Sequence, residues 1–334
     1  MFKNLTSPFI IAEVADAHYG SLDRAKEMAV LSKKSGATCV KFQHHLPDEE
    51  MLREIPNSSN MKEPLYEFLL KNALNLDQHI ELAKFCENIG ILYLCTPFSW
   101  KAAEELETYV DPFAYKIGSG ELTDIPTILR ISRFAKPVLI STGMSEIHEI
   151  TRTYEAVVAH VPELVLMNCT SAYPPKFSDI QLGFIPIMKE LYPAAIIGHS
   201  DHTPSISTAI AAVGLGADVI EKHVTIDRNL VGPDDEVSID FNQLKELASY
   251  AGEVFLSRGK DKRLLDSEKE IQLWARRSVV VLEDLPIGSV LSEANIWGKR
   301  PGTGIPSWKI PEIVGKRLCV SKKANTLLEL KDFE

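Results

Sequence analysis

Short, largely aliphatic runs alternate with stretches of helical period along most of the chain. Phe9 to Glu13 reads as a strand ending on an acid, and Ser21 caps a helix to about Ser35 that Gly36 closes. Further strands are predicted at Cys39 to Gln43, Ile91 to Thr96, Ala114 to Ile117, Pro137 to Ser141, Leu164 to Asn168, Ala195 to Ile197 and Ala217 to Ile220. Helices are predicted at about Leu76 to Glu87, Ser99 to Leu106, Asp124 to Phe134, from after Gly143 through Val158, Gln181 to Leu191, Pro204 to Leu215 and Asn242 to Leu256. Between the second strand and its helix, Pro47 to Leu76 carries a turn-rich cluster at Pro56, Asn57, Ser58, Ser59 and Asn60. Excursions of that length inside compact domains are usually functional.

Eight strands alternating with eight helical stretches are the count and order of a (β/α)8, or TIM, barrel. An open doubly wound sheet usually shows a glycine-rich turn after its first strand, where this chain has Glu13-Val14-Ala15-Asp16. Nearly every strand also ends on polar groups: Glu13, Lys41 with Gln43, Thr96, Lys116 with Ser119, Ser141, Ser171, Ser200 with His202, and Glu221 with His223. In a barrel these ends converge on one mouth, where barrel active sites lie.

The pattern changes after the last helix. Gly259 to Glu270 is dense in charge and reads as a helical linker or solvated hinge. From Arg276 onward, short β-like runs at Ser278 to Leu282, Val290-Leu291 and Arg317 to Val320 are punctuated by glycine and proline. The expected organisation is a barrel over residues 1–258, a linker over 259–275 and a small β-rich domain over 276–334.

Composition narrows the function. With 334 residues, 45% of them hydrophobic, the chain can bury a large core. Its net charge of −10 excludes sequence-independent nucleic-acid binding as the default, while leaving room for local basic pockets. No apolar run approaches the roughly 20 residues of a membrane span, and no leader pattern is visible, so a cytoplasmic location is expected. Cys39, Cys86, Cys95, Cys169 and Cys319 show no C-x-x-C spacing and read as reduced core residues.

His202 and His223 each follow an apolar run, on consecutive strands joined by a helix. A right-handed crossover brings both to one sheet edge, and two imidazoles there suit a borderline divalent metal with positions left for water or substrate. Lys41 and Lys116, with the hydroxyls of Thr96, Ser119, Ser141 and Ser200, form an expected phosphate or carboxylate pocket. Glu13 and Glu221 are candidates either for acid-base chemistry or for salt bridges that hold the lysines. Cys169 reads as packing rather than as a nucleophile. Arg300, on a turn of the small domain, could reach a ligand in the barrel of its own or a neighbouring chain.

These motifs together resemble the sialic acid (N-acetylneuraminate) synthases nearly end to end. The blocks include Val40-Lys41-Phe42-Gln43, Thr96-Pro97-Phe98, Tyr115 to Gly120, Ser141-Thr142-Gly143-Met144, Cys169-Thr170-Ser171, Tyr173-Pro174, Ser200 to Thr203, Glu221-Lys222-His223, Gly232-Pro233-Asp234 and Lys299 to Gly302. The resemblance implies a catalytic barrel followed by an antifreeze-like domain. It implies that His202 and His223 hold a divalent metal, manganese first, with magnesium or cobalt as substitutes. Lys41, Thr96, Lys116, Ser119, Ser141 and Ser200 would surround phosphoenolpyruvate. Gln43, Tyr173 and Asp234 would contact an N-acetylmannosamine-like sugar, joined by Arg300 from the second chain of a homodimer. Glu13 would handle a proton and Glu221 would orient water or metal. The implied reaction joins carbon 3 of phosphoenolpyruvate to the sugar aldehyde, captures carbon 2 with water and releases phosphate.

Three positions depart from the family pattern. Ser171, on the phosphoenolpyruvate side, stands where some members carry asparagine, Ala17-His18 where many carry Asn-His, and Arg276 where at least one carries an aromatic residue. They leave the chemistry intact and the sugar open. N-acetylneuraminate synthase is the leading reading, and a legionaminic or pseudaminic acid synthase using a diacetamido-trideoxy hexose shares the same residues. A non-catalytic sugar-binding barrel and a pyruvate-using metal aldolase are the readings from other classes.

Overall fold

The computed structural model describes residues 1–54, 63–230 and 232–334, so the turn cluster at positions 56–60 lies outside the described residues. Eight parallel strands close into a barrel: β1 (Phe9–Glu13), β2 (Cys39–His44), β3 (Leu92–Pro97), β4 (Tyr115–Ile117), β5 (Val138–Ser141), β6 (Leu164–Cys169), β7 (Ile196–Asp201) and β8 (Val219–His223). The intervening helices are α1 (Leu22–Lys34), α2 (Pro47–Glu50), α3 (Leu65–Asn72), α4 (Leu76–Ile89), α5 (Trp100–Tyr109), α6 (Ile125–Ser132), α7 (Ile147–Val157), α8 (Phe184–Leu191), α9 (Ser207–Gly214) and α10 (Phe241–Leu256). The short α2 and α3 fall inside the stretch that reads as an irregular excursion. Their neighbour α4 starts where expected, because Asn75 and Gln78 form a capping box, and stops at Gly90 in the left-handed conformation, φ 72°.

The period-two alternation of the strands sorts the barrel into layers. Ile10, Ala12, Val40, Phe42, Val138 and Ile140 face outward into the core beneath the helices. Phe9, Ile11, Cys39, Leu94, Leu139, Val165, Met167 and Val219 face inward and fill the floor. One step higher on the same inward rows stand Glu13, Lys41, Thr96, Lys116, Ser141, Ser200, Glu221 and His223. An apolar floor thus excludes water beneath a polar rim. A one-residue slip of any strand would exchange the two faces.

Strands β7 and β8 run further than the sequence pattern implies. Ser200, Asp201, Glu221 and His223 lie within them, whereas the expected runs stop at Ile197 and Ile220. Ser200 and Glu221 pair with each other inside the barrel, and Asp201 pairs with Lys222 and Thr208 on its outer face. Gly198 is required on this path, since a Cβ there would stand 2.8 Å from the Val219 carbonyl.

Residues 260–334 form a second compact unit. The charged stretch read as a linker belongs to it and contains α11 (Lys269–Ala275). Strands β9 (Ser278–Val281) and β10 (Ile296–Lys299) pair antiparallel, and α12 spans Ile310–Ile313. The other β-like runs contribute isolated bridges, such as Val290 with Arg317, rather than strands. Val279, Val281, Leu291, Ile296, Ile305 and Leu328 give this unit its own core.

Candidate active site

The inward rim residues of the barrel meet in one charged ring. Lys41 Nζ lies 2.6 Å from Glu13 Oε2 and 2.9 Å from Glu221 Oε2, while Lys116 Nζ lies 3.4 Å from Glu221 Oε1. Lys116 also donates to Ser141 Oγ at 2.7 Å, and Ser200 Oγ donates to Glu221 Oε1 at 2.9 Å. Glu13 is fixed further by the Ala15 amide, 2.8 Å from its Oε1. All four charged groups are buried. Of the two roles the sequence allows Glu13 and Glu221, holding lysines is the one the geometry displays.

Burial and pairing pull these groups in opposite directions. Burial alone would push Glu221 up, but Lys116, Lys41 and the Ser200 hydroxyl outweigh it and hold the carboxyl ionised, well below the ordinary range. Burial pushes the Lys41 ammonium down to about 7 against the attraction of Glu221. Two positive and two negative groups leave the ring neutral, so an anion entering here is best balanced by a cation brought with it.

The remaining phosphate-side residues surround this ring. Thr96, Ser119, Ser141, Ser171 and Ser200 line the same cavity as Lys41, Lys116, Glu13 and Glu221. Thr96 Oγ1 is buried with no hydrogen-bond partner among the described residues, a hydroxyl positioned for a ligand. Ser119 Oγ accepts from the Gly143 amide at 3.1 Å. A side chain at position 143 would run into Ser171 Oγ and Ser119 Oγ, so the glycine keeps this wall open.

His202 and His223 face one another across the cavity, their ring centroids 5.2 Å apart at 62°. His202 Nδ1 lies 2.9 Å from the Thr170 carbonyl and so carries a proton, while Nε2 lies 3.3 Å from the Tyr173 hydroxyl; burial lowers the His202 pKa, but Cys169 and the Thr170 carbonyl outweigh it and raise it. Burial holds His223 neutral, well below the usual histidine range, and its Nδ1 has no hydrogen-bond partner among the described residues. An open nitrogen on a neutral ring, as in His223, suits a metal ligand. Among the described residues no group of three or more His, Cys, Asp or Glu is arranged to hold a metal.

On the acceptor side, Tyr173 stacks on His202 at 4.3 Å, and Gln43 lines the cavity. Asp234 does not line it. It stands in an adjoining recess with Asp16, Ala17 and Tyr19, 3.8 Å from His223 Nδ1, and burial pushes its carboxyl up to about 7. His18 is buried, its Nδ1 accepting from the Gly20 amide at 3.0 Å. Arg300 lies in the second unit, its guanidinium 4.5 Å from the Trp274 ring centroid and its Nε donating to the Ala275 carbonyl at 3.2 Å.

Three features escaped the sequence reading. Cys169 is not core packing but lines the cavity, its Sγ 3.6 Å from Ser119 Oγ and 3.9 Å from His202 Nδ1. Cys319 is exposed, whereas Cys39, Cys86 and Cys95 are buried as expected. Phe98, Glu121 and Met144 also line the cavity, each a few residues beyond a strand end, which is the signal that would have found them.

Behind the histidines a second buried network holds the loop after β7. Lys222 points away from the cavity and donates to the Thr203 carbonyl and, at 3.3 Å, to the Asp201 carbonyl. Asp201 in turn accepts from the Thr203 amide at 2.7 Å. His202 is thus clasped from both sides.

A model described as the NeuB family matches residues 28–263, and one described as the SAF domain matches residues 276–334. The N,N'-diacetyllegionaminic acid synthase of Legionella pneumophila is 34% identical over 339 residues, covering 98% of this chain and 94% of that protein. The human N-acetylneuraminate-9-phosphate synthase is 32% identical over 329 residues, covering 96% of this chain and 91% of that protein. The crystal structure of the N-acetylneuraminic acid (sialic acid) synthetase of Leptospira borgpetersenii superposes with a TM-score of 0.72 at 26% identity, over 79% of this chain and 90% of that one.

Proposed function

The chain belongs to the NeuB family, and from that premise we propose that it condenses phosphoenolpyruvate with the open-chain form of an acylated amino sugar, N-acetylmannosamine in the leading reading. The products are a sialic-acid-type nonulosonic acid and free phosphate. The observation that carries this reading is the buried, neutral Glu13–Lys41–Glu221–Lys116 ring beside a facing histidine pair. It has cations for a phosphorylated carboxylate and carboxylates for proton handling.

Lys116 with Ser141, and Lys41 with Ser119 and Ser200, bind the donor by exchanging their present partners for its oxygens, and Thr96 offers its unpartnered hydroxyl. Glu13 holds or moves a proton at the acceptor's aldehyde oxygen. Glu221 orients the water that adds at carbon 2 of the donor. A divalent cation held by His202 and His223, manganese in the first instance, would supply Lewis-acid polarisation of the aldehyde. The proposal includes a homodimer in which Arg300 of one chain reaches the sugar's acyl group over the barrel of the other.

The similarity to a legionaminic acid synthase supports a second acceptor, a diacetamido-trideoxy hexose, on the same catalytic residues. Phosphate release from phosphoenolpyruvate with manganese, measured with each sugar and with none, tests both readings. Release that needs one sugar and stops on chelation is expected. Sugar binding that survives chelation without phosphate release from any pair would replace the synthase with a binding protein.

A further inference from the structure

Just beyond the ring, a hydrogen-bonded chain runs outward from Glu13. Gln43 Nε2 lies 3.5 Å from Glu13 Oε1, Gln43 Oε1 lies 2.9 Å from His45 Nε2, and His45 Nδ1 lies 3.0 and 3.1 Å from the two carboxylate oxygens of Glu50 on α2. His45 is buried and stacked on Phe98 at 4.2 Å and 15°. An amide oxygen and a carboxylate can only accept, so both ring nitrogens donate and the ring is an imidazolium. Reversing the Gln43 amide would let a neutral ring accept at Nε2, but only at a cost on the other side. It would set an amide oxygen against the Glu13 carboxylate.

The charged surroundings agree with that reading. Burial opposes the charge on His45, but the Glu50 hydrogen bonds and the Asp16 and Glu121 carboxylates outweigh it and raise its pKa. Glu50 approaches from α2, Asp16 and His18 from the loop after β1, Glu121 from the loop after β4, Asp234 from the loop after β8 and His79 from α4, while His44, the last residue of β2, precedes it in the chain. The loop after β3 contributes the apolar face of Phe98.

We propose that His45, clamped by Glu50, is a positioning residue that fixes the Gln43 carboxamide with its NH2 toward Glu13 and the cavity, so that the acceptor sugar must present an oxygen acceptor there. The inference rests on the reading in which Gln43 meets the sugar. Among the described residues the partners of His45 are Gln43, Glu50 and Phe98, none of them named for the donor, which separates the two substrates experimentally.

The test measures KM for sugar and for phosphoenolpyruvate separately, across pH, in the wild type, His45→Phe and Glu50→Gln. His45→Phe keeps the stack on Phe98 and loses the clamp. It is expected to raise the sugar KM roughly ten-fold while the phosphoenolpyruvate KM stays within about two-fold. In the wild type the sugar KM rises as pH climbs through the His45 pKa. Glu50→Gln removes the carboxylate that holds the proton and moves that rise to lower pH. Equal movement of both KM values, or an unchanged sugar KM in His45→Phe, overturns the proposal and leaves His45 structural. Nitrogen-15 spectra of the wild-type imidazole give a readout that needs no turnover. Two protonated nitrogens at neutral pH support the clamp, and a neutral ring defeats it. Absent phosphate release with an imidazolium signal would therefore count against the synthase reading while the clamp stands.

Discussion

His18, His44 and His79 are buried. Burial pushes His18 down from 6.5 to about 4, with His45 and Arg24 adding to the effect, and burial likewise carries His79 well below its usual value. His44 is lowered by burial too, although Glu105 at 2.9 Å pulls the other way. A histidine whose pKa falls on folding makes the unfolded chain the better proton acceptor, so stability is full above the unfolded value and drains away as pH falls toward the folded one. Urea unfolding is expected to weaken between pH 6.5 and about 4, with His18 alone accounting for on the order of 3 kcal/mol. A midpoint that stays flat across that window would show that these rings are hydrated in solution. At this scale the sequence was informative where a side chain acts alone and silent where its role depends on a neighbour across the barrel. Glu13 and Glu221 could be seen at strand ends, but only the lateral register shows that both grip Lys41.

Strand β8 shows what one element contributes to both faces of the barrel wall. Glu221 and His223 alternate inward to the cavity, and Lys222 turns outward beneath α9 to bind the carbonyls on either side of His202. Lys222 is fully buried with Asp201 Oδ1 at 3.3 Å, so Lys222→Met leaves an uncompensated carboxylate. The expected loss is about 3–5 kcal/mol in chemical denaturation, and the double variant with Asp201→Asn should recover part of it. The strands were legible as apolar runs because a parallel sheet buried on both faces leaves that signature. Their upper ends were not, since β7 and β8 continue through polar residues that only a folded barrel can satisfy. Helix starts were legible for a local reason: Ser21, Asn75, Ser99, Asp124 and Asp240 each accept from a backbone amide of the helix they precede. The short helices α2 and α3 carry no such side-chain cap, and their sequence gives no comparable warning.

At the scale of the molecule, each of the two units has a core of its own, and among the described residues no helix is long and apolar enough to cross a membrane. The barrel is completed by a ladder between its first and last strands, from Phe9 opposite Val219 to Glu13 opposite His223. That ladder joins segments some two hundred residues apart, the kind of contact whose formation waits on nearly all the chain between. In time, then, the cavity cannot close until the eighth strand is in place. During synthesis Glu13 leaves the ribosome early and has only its β2 neighbour Lys41 until β8 follows, and during refolding helices can return while the pocket is still open along one seam. Recovery of far-ultraviolet dichroism is expected to run ahead of recovery of phosphate release, which should follow the slowest phase. Simultaneous recovery of both would mean that the seam closes with the helices. A chain interrupted before the eighth strand is expected to lack the ladder that closes its pocket.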